Sequence, residues 1–144
     1  MAIYVILHLE SRTKCDDQWR YECIDDAYFI RTYSATGEHL AWKTGPDHIP
    51  VRGIPTDISP ETKRDYEGNI DENTGEILDC TDFTWCNVTE LENAIEKAFD
   101  EMQTENSENI RHYPNYQEWR EVISRMKSIE CGGERECRVI YWFY

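Results

Sequence analysis

The groups that could do chemistry are four histidines, six cysteines and 29 carboxylates, and their spacing assembles no common reactive centre. His8, His39, His48 and His112 form neither H-x-x-x-H nor H-E-x-x-H, so metal-assisted hydrolysis has no support. His8 lies in an apolar run and reads as a side chain satisfied by a neighbour. The cysteines are spaced Cys15-x7-Cys23, Cys80-x5-Cys86 and Cys131-x5-Cys137, none of which is a zinc knuckle. Without a secretory signal they read as free, buried thiols in a reducing compartment. Gly132-Gly133 makes a turn that could bring Cys131 and Cys137 together. No G-x-S-x-G elbow, P-loop or dinucleotide fingerprint occurs. Carboxylate pairs are too numerous in so acidic a chain to mark an acid–base couple. The sequence therefore assigns no catalytic residue, metal ligand or cofactor, and leans away from an enzyme.

In the central loop, Arg52 has the planar fork that clamps phosphate or carboxylate. The plainer reading has Asp57 and Arg52 tying a proline-rich loop together, with Gly53 allowing a sharp turn.

Charge is the stronger signal. From Ser59 to Ile110 there are 15 Asp/Glu against 3 Lys/Arg, a balance of −12 within a total of −14. A field of this sign argues against duplex DNA as a partner, because duplex affinity rests on cations meeting phosphates. It favours proteins that themselves carry a basic groove.

The elements that must position these groups can be read from periodicity. The 144 residues suit one domain, residues 1–144, with a proline-rich loop over about 45–60. Ala2–Leu9 is apolar on both faces and reads as a central strand covered on both sides. Gln18–Ile24 reads as its hairpin partner across the polar turn Ser11–Asp17. Asp25–Ser34 suits either a short helix or a strand, and Glu38–Lys43 suggests another short strand. Ser59-Pro60-Glu61 is a helix start, with the helix ending near Gly68. Thr89 and Glu92 match a capping box. Leu91, Ala94, Ile95, Ala98, Phe99 and Met102 then fall on one helical face. A second amphipathic helix runs from about Asn115 to Ile129, with Tyr116, Trp119, Val122, Ile123, Met126 and Ile129 as its buried stripe. The C-terminal run Arg138–Tyr144 is strand-like and should pair in the sheet of Ala2–Leu9. The expected class is α+β: a single, mostly antiparallel sheet including both terminal strands. Two amphipathic helices, about 89–105 and 115–130, pack on one side.

Four segments together resemble a family of small, mostly uncharacterised bacteriophage and prophage proteins. Ile3–Glu10 followed by Gln18-Trp19-Arg20-Tyr21-Glu22 is similar to that family's opening strand and x-W-x-x pattern. Arg52-Gly-Ile-Pro-Thr-Asp-Ile-Ser-Pro-Glu61 resembles its RGLPxDVSxE stretch, the most specific of the four. Trp85–Ala94 resembles its S-W-L-T-x-x-E-L helix start, and Arg138–Phe143 its V-R-x-V-F-W-F strand. The chain departs at Ala2-Ile3-Tyr4-Val5, where the family carries Gly-Cys-Asp-Ile-His, and at Tyr144, where it carries Asp. The resemblance implies a phage origin and no particular mechanism.

The leading expectation is a phage accessory protein that blocks a host defence protein by binding it without catalysis. It would mimic nucleic acid through an acidic surface, in the manner of anti-CRISPR proteins. The candidate partner-binding residues are Glu90, Glu96, Asp100, Glu101 and Glu105, on the helix face largely opposite the apolar stripe. The alternative is a sponge for a defence signalling nucleotide. Arg52, Arg111 and Tyr113 are its candidate anion or nucleotide contacts, although nearby Tyr116 and Trp119 read first as core. An enzyme degrading such a nucleotide comes third. The longest apolar run, Ala2–Leu7, is too short to cross a membrane, and no signal-peptide pattern accompanies it. The expected compartment is the cytoplasm of the infected bacterial host. The aromatic C-terminus leaves a homodimer open.

Overall fold

Alternation along two long strands decides how the chain is layered. The computed structural model describes residues 3–16, 18–22, 29–43, 45, 48–76 and 80–144. β1 (Ile3–Thr13) and β5 (Arg135–Phe143) are antiparallel neighbours in register from Val5↔Phe143 to Thr13↔Arg135. Val5, Leu7 and Leu9 of β1 share one face with Cys137, Val139, Tyr141 and Phe143 of β5, and all are buried. Ile6, His8 and Glu10 point the other way, opposite Trp142, Ile140 and Arg138. Both faces are covered, as the continuous apolar run required.

β4 (Thr81–Cys86) flanks β5. β2 (Arg20–Glu22) and β3 (Phe29–Thr32) share the opposite edge, pairing with the two halves of β1. All of these pairings are antiparallel. The hairpin expected over Gln18–Ile24 appears as β2, with Cys23 and Ile24 outside the described residues. Of the ambiguous stretch Asp25–Ser34, the described part is strand β3 followed by a short helix α1 (Ser34–Gly37). Glu38–Lys43 is not a strand. Glu38–Trp42 forms a π-helical turn that buries His39, Leu40 and Ala41 under the sheet. Its apolar residues are adjacent rather than alternating, which suits one face of a tight turn.

The two long helices lie together on the apolar face of the sheet. α3 (Val88–Thr104) buries Leu91, Ala94, Ile95, Ala98 and Phe99. α4 (Pro114–Glu130) buries Trp119, Val122, Ile123 and Met126. The cap of α3 lies two residues before the expected one: the Asn87 side chain accepts from Glu90 N, and Glu90 reaches back to Asn87 N. Two overlapping motifs compete here, and Asn87 wins because β4 ends at Cys86 and the chain turns at once.

The other face is roofed by the proline-rich loop and α2 (Pro60–Glu67). Ile54, Ile58, Tyr66, Phe83 and Trp85 pack there on Ile6, Cys80, Ile140 and Trp142. α2 therefore sits across the sheet from α3 and α4. Ser59 caps it, accepting from Thr62 N at 3.3 Å. Among the described residues no helix is long and apolar enough to cross a membrane.

Two substitutions test this packing. Glu10 and Arg138 are buried beneath the roof and bonded at 2.8 and 3.0 Å. Arg138→Met should cost about 3–5 kcal/mol in urea unfolding, because it strands a buried carboxylate. Adding Glu10→Gln should recover part of that loss, since the amide oxygen still accepts from the roof. At Gly37, a Cβ would lie 2.3 Å from the Trp42 ring. Gly37→Ala should cost about 1–3 kcal/mol by overpacking.

Candidate functional site

Polar side chains gather at three places: under the roof, along α3, and in a recess at the edge of β3. Under the roof, one Glu10 oxygen accepts both bonds from Arg138. The other accepts from Ser59 N at 2.7 Å and the Thr62 hydroxyl at 2.8 Å. Arg138 also donates to Asp57 at 3.0 Å. Asp57 thus ties the proline-rich loop down by fastening it to β5. Trp19 lies between two guanidinium groups, Arg138 at 4.1 Å and Arg12 at 4.4 Å from its ring centroid. Arg12 in turn pairs with Glu136. The neighbouring groove is about 490 Å³, and the two arginines lining it already have acidic partners.

Arg52 fastens the start of the loop to the other long element. It donates to Trp85 O at 2.8 Å, holds Glu90 through both terminal nitrogens, and stacks on the Trp85 ring. The Glu90 carboxyl consequently titrates below its ordinary range, with the Arg52 hydrogen bond as the main cause. Arg52 is committed to structure rather than presented as an anion clamp.

The acids predicted to meet a partner divide into two groups along α3. Glu90 and Glu96 are half-buried and paired: Glu90 with Arg52, Glu96 with Arg111, Arg120 and the Tyr116 hydroxyl. Asp100 and Glu101 also have partners, Arg111 and His39, yet their side chains keep 71 % and 55 % of their surface exposed. Glu105, at the C-cap, is exposed, as is Glu108 beyond it. The acidic surface that faces solvent is thus the C-terminal end of α3, not its whole length. Arg111 clamps Glu96 and Asp100 and is no freer than Arg52.

Tyr113, the third anticipated nucleotide contact, lines an open recess. This recess is about 450 Å³ and lies between β3 and the start of α4. Arg31, Asn115 and Glu118 share its wall. Periodicity gave no warning of these three, because the recess depends on β3 lying beside α4. Trp119 is fully buried, as its place on the apolar stripe required, while Tyr116 packs on Phe99 at 5.0 Å.

Among the described cysteines, Cys15, Cys86, Cys131 and Cys137 are free thiols. Burial pushes the Cys137 thiol up to about 12 and raises Cys86 further, so neither is a nucleophile at neutral pH. Among the described residues no group of three or more His, Cys, Asp or Glu is placed to hold a metal ion. No family model, curated protein or solved structure matches the chain.

His8 generates a pH prediction. It is buried, stacks on Trp142 at 4.7 Å and bonds Asp65 at 2.8 Å. Burial is the largest influence and lowers its proton affinity, outweighing Asp65. The unfolded chain then takes up a proton near pH 6.5 that the folded chain resists. Stability should fall as pH drops through this window. Glu90 and Glu92 titrate below 4.5, so their contribution is lost only at lower pH. His8→Gln should flatten the urea midpoint between about pH 6.5 and 5 while leaving the more acidic loss in place.

Proposed function

We propose that this chain is a phage accessory protein that inhibits a host defence protein by non-catalytic binding, acting inside the infected bacterium. Its contact surface is the acidic C-terminal end of α3, centred on Asp100, Glu101, Glu105 and Glu108. The partner is a protein whose basic groove normally handles nucleic acid. The phage setting rests on the sequence resemblance described above.

One observation carries the choice of surface. The C-terminal pole of a helix already bears partial negative charge, and acids there are unfavourable by about 0.3–1 kcal/mol each. α3 nevertheless places Asp100, Glu101 and Glu105 at that pole and has no basic residue in its last turn. A local rule broken this way, with the charge left exposed, is the expected mark of a functional surface. The helix pole and its acids add their fields in one direction. The arginines are largely drawn into ion pairs, Arg111 with Asp100 at this pole and Arg52 with Glu90 and Arg138 with Glu10 elsewhere. The acidic surplus is therefore what a partner meets at long range.

The two roles of these acids make opposing predictions. Glu105→Lys should stabilise the fold by about 0.3–1 kcal/mol by complementing the helix pole. The same change should weaken target binding. Tagged protein, expressed in bacteria carrying nucleic-acid-targeting defence systems, should retain a basic defence protein that rising salt releases. A variant with Asp100→Asn, Glu101→Gln, Glu105→Gln and Glu108→Gln should bind it at least about tenfold less well. Equal retention of the partner by the variant and the parent would sink the acidic-surface reading.

A further inference from the structure

We propose that the recess between β3 and the start of α4 is a binding site for a free guanine nucleotide. The base would stack on its aromatic wall and its phosphate would be held by Arg31. This site borders the acidic surface at Glu108 but rests on different observations.

The wall is aromatic and open. Tyr4 and Phe29 stack at 4.5 Å with their planes 19° apart. Phe29, Tyr33 and Tyr113 are 43 %, 39 % and 37 % exposed. Half of the large exposed apolar side chains among the described residues thus line this one recess. A planar ring is the ligand that such a wall accepts best, and each stacked contact is worth a substantial fraction of binding.

The polar groups in the wall specify the edge of that ring. Tyr4 uses both its backbone N–H and C=O on Tyr144, so the backbone groups of Arg31, opposite it in β3, point outward from the sheet edge. The Asn115 side-chain amide donates to that outward Arg31 carbonyl. This bond fixes which end of the amide is which. The remaining Asn115 Oδ1 is buried, in a residue only 9 % exposed, and has no partner among the described residues. A buried acceptor without a donor is costly and calls for an explanation. One helical step away on the same face, Glu118 supplies a second acceptor and forms no ion pair among the described residues. Partial burial raises its proton affinity, which is consistent with a carboxyl awaiting a donor. The two oxygens of the Glu118 carboxylate suit a base whose edge carries adjacent N–H donors. Guanine has them at N1 and N2, whereas adenine and uracil do not.

Arg31 supplies the charge. It lines the recess and meets no carboxylate among the described residues, in contrast to Arg52, Arg111 and Arg120. Its guanidinium suits a phosphate held next to the stacked base. Glu108, bonded to the Tyr113 hydroxyl, stands at one side and disfavours a long polyanion.

Calorimetry and tyrosine fluorescence with GMP, AMP, UMP and guanosine test the assignment on the full chain. GMP should bind saturably and at least about tenfold more tightly than AMP or UMP. Arg31→Gln, at an exposed position, should weaken GMP about tenfold and leave guanosine unchanged. Glu118→Leu should erase the preference for GMP over AMP, and Tyr113→Leu should weaken all four ligands. Circular dichroism and urea midpoints matching the parent would show these variants folded. Absence of saturable GMP binding, or equal binding by the Arg31 and Glu118 variants, overturns the proposal. Tighter binding of a guanine-containing single-stranded oligonucleotide than of GMP at the same salt overturns the free-nucleotide assignment.

Discussion

The structure depends on a charge pair buried in the middle of its sheet. Glu10 and Arg138 face each other across the β1–β5 pairing, on the face away from α3 and α4. Desolvating two charges costs several kcal/mol per ion, so their mutual attraction alone is a weak source of stability. The cost is offset only when every remaining polar group finds a partner. Ser59 N, the Thr62 hydroxyl and Asp57 supply those partners, and all three come from the loop and the start of α2. The roof is thus held by chemistry that the sheet demands. The pair also pins register, because a slip of one residue would turn both charges into the apolar face beneath the long helices.

That arrangement divides the molecule's polar groups by function. The roofed face uses its charges internally: Glu10 with Arg138, His8 with Asp65, Arg52 with Glu90 at the rim. Little is left there to recognise a partner. Exposed charge accumulates instead at the end of α3, where the helix pole strengthens it. Exposed aromatic surface accumulates at the edge of β3. This edge strand is met by Asn115 at Arg31 and exposes Phe29 and Arg31. The two proposed activities therefore occupy the places where the fold leaves polar or apolar groups unused.

Much of the framework was legible because burial leaves periodic traces. The stripes Leu91–Phe99 and Trp119–Met126 identified both long helices and the face each buries. The unbroken apolar run of β1 indicated cover on both sides, and the structure supplies it. Legibility failed where neighbours distant in sequence decide the outcome. The π-helical turn at Glu38–Trp42 resembles a short strand by composition alone. Arg52 and Asp57 are five positions apart and of opposite charge, yet each is claimed by a residue far along the chain. The candidate acids were correctly placed on α3. Which of them are neutralised was not readable, since their arginines come from the loop and from the region of α4.

The sequence by itself determined the α+β class, the amphipathic helices, the excess of negative charge and its concentration between Ser59 and Ile110. These follow from local pattern and composition, which do not require a fold to be counted. Tertiary structure alone decided which charges face water. It buried Glu10 with Arg138, tied up Arg52 and Arg111, and left the acids at the end of α3 exposed. It also brought Arg31, Asn115 and Glu118 into one recess from segments more than eighty residues apart. The reason is physical: a charge or an aromatic ring acquires its role from what desolvates and pairs it, and those neighbours are chosen by packing.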